Sequence, residues 1–156
     1  EGRIRAIGVC NFYPHRLADF CETVDELPAV NQVELHPFFQ QENTLSLMRE
    51  YGVQPMAWAP FAEGRHGIFT HPVLTKIGEK YGKGAGQVAL RWNMQRGVVV
   101  IPKSTHRERM EQNIDVFDFS LTDEEMREIA ALDIGHSEII DHTDPKLVQA
   151  LHGRKL

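Results

Sequence analysis

Four short apolar runs, each followed by a segment of helical periodicity, limit what this chain can fold into. The runs begin near Ile4, Ala29, Gln54 and Val98. Ile4–Val9 leads through a loop at Cys10-Asn-Phe-Tyr-Pro14 into a helix over His15–Leu27, where Leu17, Phe20, Cys21, Val24 and Leu27 share one face. Ala29–Leu35 breaks at His36-Pro37 and is followed by a helix over Asn43–Tyr51, closed by Gly52 as a C′ glycine. Gln54–Ala59 stops at Pro60. A looser segment with Gly64, Gly67 and Pro72 follows, then helical stretches over about Pro72–Tyr81 and Gly86–Arg96. Val98–Ile101 reads as a strand buried on both faces, and a helix runs from Thr105 to about Val116. Thr122-Asp-Glu-Glu125 is a capping box that opens a further helix, to about Leu132. The tail over residues 135–156 is polar without a clear period and reads as irregular.

Strand–helix units in succession join through right-handed crossovers, which gives an α/β fold with a parallel sheet and helices outside it. An open doubly wound sheet carries a glycine-rich phosphate turn after its first strand, and Cys-Asn-Phe-Tyr-Pro is no such turn. A (β/α)8 barrel of the TIM type instead gathers polar residues at the C-terminal ends of many strands. Asn11, Gln32, Glu34, His36, Trp58 and Lys103 fall at such ends. A closed barrel needs eight strands and about 250 residues. The 156 residues here supply about four βα units plus a C-terminal helix and tail, half a barrel. The chain opens Glu-Gly-Arg, with no Met, and reads as one entered mid-fold. Its first and last strands are then open edges, which a second copy (a homodimer) or a missing N-terminal half would close.

Composition excludes several functions. A hydrophobic content of 42% and a charged content of 25% are those of a soluble globular protein. A net charge of -5, with no basic runs, argues against nucleic acid. No signal peptide or long apolar segment argues for secretion or a membrane span. With only Cys10 and Cys21, the chain suits the reducing cytoplasm better than a disulfide framework. Eight histidines form no H-x-x-x-H pair and there is no CxxC, so no metal site is expected. Gly-Lys-Gly-Ala-Gly at Gly82–Gly86 lacks the hydroxyl residue of a P-loop and reads as a linker between helices.

The segment Val98–Arg109 carries the clearest chemistry. A wholly apolar run stops at Pro102, and Lys103, Ser104, Thr105, Arg107 and Arg109 follow at the start of a helix. Thr105-His-Arg-Glu108 is a capping box, which sets the helix start near Thr105. Unpaired N–H groups and the positive end of a helix dipole attract anions. The pattern points to a phosphate site at the C-terminal end of a parallel strand, with an ordinary capped helix and solvated charges as the plain alternative.

Ile-Gly-Val-Cys-Asn-Phe, Val-Asn-Gln-Val-Glu-Leu-His-Pro, Met-Ala-Trp-Ala-Pro-Phe, Gly-Gln-Val-Ala-Leu-Arg-Trp and Val-Ile-Pro-Lys-Ser-Thr-His-Arg-Glu-Arg-Met-Glu-Gln-Asn occur in that order. Together they resemble the C-terminal half of an aldo-keto reductase, over Gly2 to about Leu132, with the bacterial branch that reduces small ketones, aldehydes and diketo sugar acids as the nearest likeness. The resemblance implies a (β/α)8 barrel that reduces a small carbonyl substrate with NADPH. It implies that Asn11 and Gln32 hold the nicotinamide carboxamide, with Cys10 where serine is common. Trp58 takes the place of the aromatic that stacks on the nicotinamide, often a tyrosine. Lys103, Ser104 and Arg109 match the groups around the 2′-phosphate, and Gln112 and Asn113 those near the adenine. Ala62 to Gly67 matches the loop over the pyrophosphate, and Ser137–His142 a C-terminal specificity loop. The resemblance gives His36 a role in shaping its loop and Trp92 one in packing. It also implies that the catalytic tyrosine, lysine, aspartate and histidine lie before Glu1, so that no catalytic residue is expected here and the chain alone should be inactive. Two other classes are kept beside it: a non-catalytic regulatory module that binds NADPH, and a sugar-phosphate enzyme that uses only the anion site.

Overall fold

The computed structural model describes residues 2–153; Glu1 and residues 154–156, the end of the expected tail, lie outside them. Four strands, β1 (Gly8–Cys10), β2 (Val30–Glu34), β3 (Gln54–Trp58) and β4 (Val99–Val100), form one parallel sheet in the order β1-β2-β3-β4. Helices α1 (Pro14–Thr23) and α2 (Glu42–Glu50) fill the first two crossovers. A 3-10 segment (Ala62–Gly67) and helices α3 (Pro72–Tyr81) and α4 (Ala85–Gln95) fill the third. After β4 come α5 (Arg107–Ile114), α6 (Asp123–Ala130) and α7 (Pro145–His152). The expected α/β succession is present, with four βα units.

Register decides which side chains face the helices. Cys10 lies beside Gln32 and Gln32 beside Met56, so these three form a row across one face of the sheet. Asn31, Val33 and Leu35 of the β2 segment and Ala57 of β3 are buried, packed with Leu17, Leu45, Met48, Leu74, Ile77, Val88, Leu90 and Trp92 from the helices. Trp92 is thus a core residue, as expected. Gln32, Met56 and Trp58, on the other face, are only half-buried. A closed barrel fills that face with side chains of the remaining strands.

Several boundaries differ from the sequence expectation. The first strand is confined to Gly8–Cys10, because Ile4 and Ile7 lie beyond the paired part of β2 and are 72% and 45% exposed. Helix α1 ends at Thr23 rather than Leu27; Pro28 disfavours helical backbone at Leu27, and Val24 is already extended. Val98–Ile101 is not buried on both faces: Val98 is buried, but Val99 and Ile101 are 40% and 51% exposed, since β4 is an edge strand. The Thr105 capping box does not form. Ser104 closes a tight turn with His106, its Oγ accepting from the His106 N–H at 3.1 Å. The helix therefore starts at Arg107 and ends at Ile114, short of Val116. The tail is not irregular throughout: α7 occupies Pro145–His152, with Pro at its first turn and the Asp144 carboxylate accepting from the Lys146 N–H. Leu147, Val148 and Leu151 provide a short apolar stripe, too brief to stand out from the polar sequence around it.

The Thr122 capping box forms as expected. The Thr122 Oγ1 accepts from the Glu125 N–H at 3.2 Å, and the Glu125 carboxylate accepts from the Thr122 N–H at 2.9 Å. Glu125 is also buried against α3, where it accepts from the Tyr81 hydroxyl at 2.7 Å and the Lys80 ammonium at 2.9 Å. Burial alone would raise the Glu125 carboxyl. The Thr122 N–H, the Tyr81 hydroxyl and the Lys80 charge outweigh it and bring the group down to about 2. A carboxyl with a depressed folded-state pKa stabilises the fold fully above its ordinary value of 4.5 and loses that contribution as pH falls towards 2. Glu125→Gln is therefore expected to cost about 2 kcal/mol at neutral pH. The variant should also show a flatter loss of stability than the wild type between about pH 5 and about pH 2. Urea unfolding at a series of pH values checks both.

Candidate functional site

All four strands end at one rim of the sheet, and the expected site residues fall into two groups along it. The first gathers at the ends of β1, β2 and β3. Cys10, Gln32 and Met56 touch in sequence along their row: the Cys10 thiol lies 4.0 Å from Gln32 Oε1, and Gln32 Nε2 lies 3.2 Å from Met56 Sδ. Both are weak contacts, because sulfur is a poor hydrogen-bonding partner. Burial raises the Cys10 thiol, which disfavours its thiolate. Asn11 sits one residue further, in the left-handed region (φ 56), a conformation asparagine tolerates better than most residues. Its N–H donates to the Gln32 carbonyl at 2.8 Å, and its side-chain Oδ1 accepts from the Trp58 indole N–H at 2.7 Å. The expected trio Asn11, Gln32 and Trp58 is thus one connected patch.

A residue overlooked in the sequence holds this patch in place. Asn31 is fully buried beneath it, and its side chain pairs with the backbone of Phe12 in both directions. Asn31 Nδ2 donates to the Phe12 carbonyl at 2.7 Å, and Asn31 Oδ1 accepts from the Phe12 N–H at 3.3 Å. It fixes the turn that puts Asn11 into its left-handed conformation. An asparagine inside an apolar strand was the available signal, since a buried amide needs partners.

The second group lies after β4. Lys103, Ser104, Arg109, Gln112 and Asn113 line one cavity of about 620 Å³, with Phe61, Phe69 and Gly86 on its other side. Phe61 and Phe69 pack at 5.2 Å, and a Cβ on Gly86 would lie 3.4 Å from Phe69. These three were also missed in the sequence, where Phe69 fell in an irregular stretch. Lys103 and Arg109 are exposed and form no ion pair with a described residue. Arg107 lies outside the cavity lining and pairs with Glu111 at 2.8 Å across one helical turn, as a solvated surface cation would. No described side chain caps the N-terminus of α5.

The Ala62–Gly67 segment follows β3. Ala62, Glu63, Gly64, His66 and Gly67 all take positive φ, which for the three non-glycine residues costs about 1 kcal/mol each. Residues 136–142 reach the same rim. The Ser137 hydroxyl donates to buried Glu34 at 2.5 Å, and His142 lies edge-on to Trp58 at 6.1 Å between ring centres. His36 shapes its loop as expected: its Nδ1 accepts from the N–H groups of Phe38 and Phe39, and its Nε2 meets Glu34 at 3.0 Å. Tyr13 is pushed up to about 12, by burial first and then by Glu34 and Asp141. Among the described residues no group of three or more His, Cys, Asp or Glu side chains could hold a metal ion, and no helix is long and apolar enough to cross a membrane.

Asn31→Ala is expected to lower the unfolding free energy by about 2 kcal/mol, because it leaves the partly buried Phe12 backbone groups without these partners and opens a gap where the fully buried amide stood. Amide exchange at Asn11 and Phe12 should rise further than the global loss accounts for. Urea unfolding and hydrogen exchange check this, and unchanged exchange at those two amides would remove Asn31 from the support of the site.

Comparison with known proteins gives one consistent answer. The profile of the Aldo/keto reductase family matches residues 1–134. Morphine 6-dehydrogenase of Pseudomonas putida is 46% identical over 146 residues, covering 86% of this chain and 49% of that protein. Methylglyoxal reductase of Escherichia coli is 42% identical over 135 residues, covering 86% and 49%. An aldo-keto reductase from a Medee basin deep-sea metagenome library superimposes with a TM-score of 0.85 at 36% identity, over 92% of this chain and 53% of that one. An aldo-keto reductase of Bombyx mori in complex with NADP superimposes with a TM-score of 0.82 at 37% identity, over 91% and 48%. The chain spans about half the length of the curated relatives it matches. With the family profile running through all four βα units and both groups of rim residues, this chain belongs to the aldo-keto reductase family.

Proposed function

We propose that this chain is the cofactor-binding half of an NADPH-dependent reductase of small aldehydes or ketones. The observation that carries the reading is the cavity after β4, where Lys103 and Arg109 stand beside Ser104, Gln112 and Asn113 without ion-pair partners among the described residues. A 2′-phosphate is well matched by a lysine charge and the planar fork of an arginine. Phe61 and Phe69 give the cavity an apolar wall suited to a purine, and Gly86 leaves the space in front of it open. The residues therefore fit NADPH, and the solved relative in complex with NADP supports the same choice.

Bound along this rim, NADPH would supply the hydride for the carbonyl carbon. Trp58 offers a flat apolar face for the ring. Its indole N–H already occupies Asn11 Oδ1, which leaves Asn11 Nδ2 free to donate to a carboxamide oxygen. Gln32 offers the second amide, steadied among the described residues by the weak Cys10 and Met56 contacts. On this reading Ala62–Gly67 would fold over the pyrophosphate.

The proton for the carbonyl oxygen comes from outside this half. A tyrosine acting as general acid needs its pKa lowered by a neighbouring cation. All three tyrosines here are shifted the other way: Tyr13 to about 12 chiefly by burial, Tyr51 to about 12 by its hydrogen bond to Glu22, and Tyr81 upward by its bond to Glu125. The chain alone is therefore expected to bind cofactor without turning over a carbonyl. Its two free cysteines suit a cytoplasmic protein.

Titration of the chain with NADPH and with NADH, followed by tryptophan fluorescence, tests the reading. Saturable binding that favours NADPH by about tenfold or more is expected, and Arg109→Ala should remove most of that preference. Equal affinity for the two nucleotides, or none for either, would sink it. Trp58→Phe keeps an aromatic face but loses the bond to Asn11. It is expected to weaken NADPH binding about three- to tenfold without changing the preference over NADH. The same titration checks this, followed by the fluorescence of the nucleotide itself because the substitution removes the tryptophan at the site.

A further inference from the structure

The Ala62–Gly67 loop is not held by its own chain neighbours alone. His66, in the left-handed region (φ 54), packs on the Phe38 ring at 4.6 Å and pairs through Nε2 with Glu138 at 2.7 Å. Glu138 follows Ser137, whose hydroxyl is fixed to the buried Glu34 carboxylate. The same Ser137 Oγ accepts from the N–H groups of Ile139 and Ile140 at 3.1 and 3.0 Å, which tightens the segment around Glu138. At the base of the segment the Ile134 N–H donates to the Phe38 carbonyl at 2.9 Å, and Asp133 accepts from the Gln40 N–H at 3.2 Å. Phe38 thus supports both the His66 ring and the root of the segment. The segment then runs on to His142, against Trp58 and Tyr13. The loop after β2, the loop after β3 and residues 133–142 make one continuous set of contacts, with the polar contact between His66 and Glu138 joining the last two.

We propose that Glu138 is a positioning residue for the cofactor loop: through His66 it fastens Ala62–Gly67 to the C-terminal segment, so that release of the segment favours opening of the loop. The consequence for cofactor exchange rests on the NADPH reading above. A nucleotide lying under the loop leaves by way of an open state, so breaking the pair speeds departure more than arrival. By linkage, whatever steadies residues 137–142 against Trp58 also tightens binding of the cofactor. The pair is partly exposed, with side chains 30% and 42% accessible, so its effect is modest.

Two readouts on the full chain test this, one of which needs no cofactor. In hydrogen exchange without nucleotide, Glu138→Gln is expected to speed the amides of Gly64 and Ile68, and His66→Asn those of Ile139 and Ile140. Each substitution acts on the segment it does not belong to. Changes confined to the substituted segment would overturn the coupling. In stopped-flow displacement of NADPH, Glu138→Ala is expected to raise the dissociation rate about two- to fivefold, with the association rate nearly unchanged and Glu138→Gln in between. An unchanged dissociation rate, with reciprocal exchange still present, would overturn the positioning role. Failure of the wild type to bind NADPH at all would overturn the cofactor reading and the consequence for its release, while the exchange result still decides whether the two segments are coupled.

Discussion

Because the four strands run in the same direction, every one of them delivers its following residues to the same rim, and every loop that carries chemistry must meet there. Parallel pairing also fixes which side chains are lateral neighbours. Cys10, Gln32 and Met56 come from positions 22 and 24 residues apart, yet register alone lines them up. The connection is as much electrostatic economy as topology. Strand ends leave backbone groups unpaired, and these must be satisfied within the rim. Asn31 does so for Phe12, Gln41 for the Glu34 carbonyl, and the Gln32 carbonyl takes the Asn11 N–H. The polar side chains of the site thus stand on a layer of polar side chains that serve the backbone.

Glu34 is the most demanding member of that layer. It is fully buried, and burying a carboxylate is costly unless its oxygens are hydrogen-bonded. His36 meets one oxygen and Ser137 the other. Since His36 Nδ1 accepts from two backbone N–H groups, its ring proton sits on Nε2, facing Glu34. The His36-Pro37 loop, the β2 strand and the segment after α6 are therefore fixed by one carboxylate. This explains how a segment more than 100 residues away along the chain returns to the same rim with a defined position.

Most of the architecture was legible because hydrophobic period and breakers agree in this sequence. Pro72, Gly82 and the Thr122 box mark helix ends that the structure keeps to within a residue. What failed did so for identifiable reasons. The Thr105 box competes with Ser104, whose hydroxyl reaches the His106 backbone first and shifts the helix start by two residues. The burial expected of Val98–Ile101 assumed a strand on either side, and a sequence does not state what lies next to an edge. Rim residues that resemble a family motif were assigned from it, and the structure gathers them in two patches. Asn31, Phe69 and Gly86 were invisible for another reason: each matters through a contact with a residue distant in sequence, which the short motifs around Asn31 and Gly86 do not state.

The weakest support lies under the best-marked chemistry. Helix α5 carries Arg109, Gln112 and Asn113, yet none of its residues is buried. Met110 and Ile114, one turn apart on the helix, are 49% and 71% exposed, and Phe117 just beyond is 69% exposed. Together with Val98, Val100 and Pro102 they line a second cavity of about 620 Å³, apolar where the first is charged. A helix of eight residues has little stability of its own, and in folded proteins most of it comes from packing an apolar face. The two faces of α5 are therefore linked. Covering Met110, Ile114 and Phe117 would fix the helix, and a fixed helix would present Arg109 to the phosphate of the proposed cofactor at lower entropic cost. On the proposed NADPH reading, cofactor affinity then depends on the apolar side of α5 as well as on its charged side.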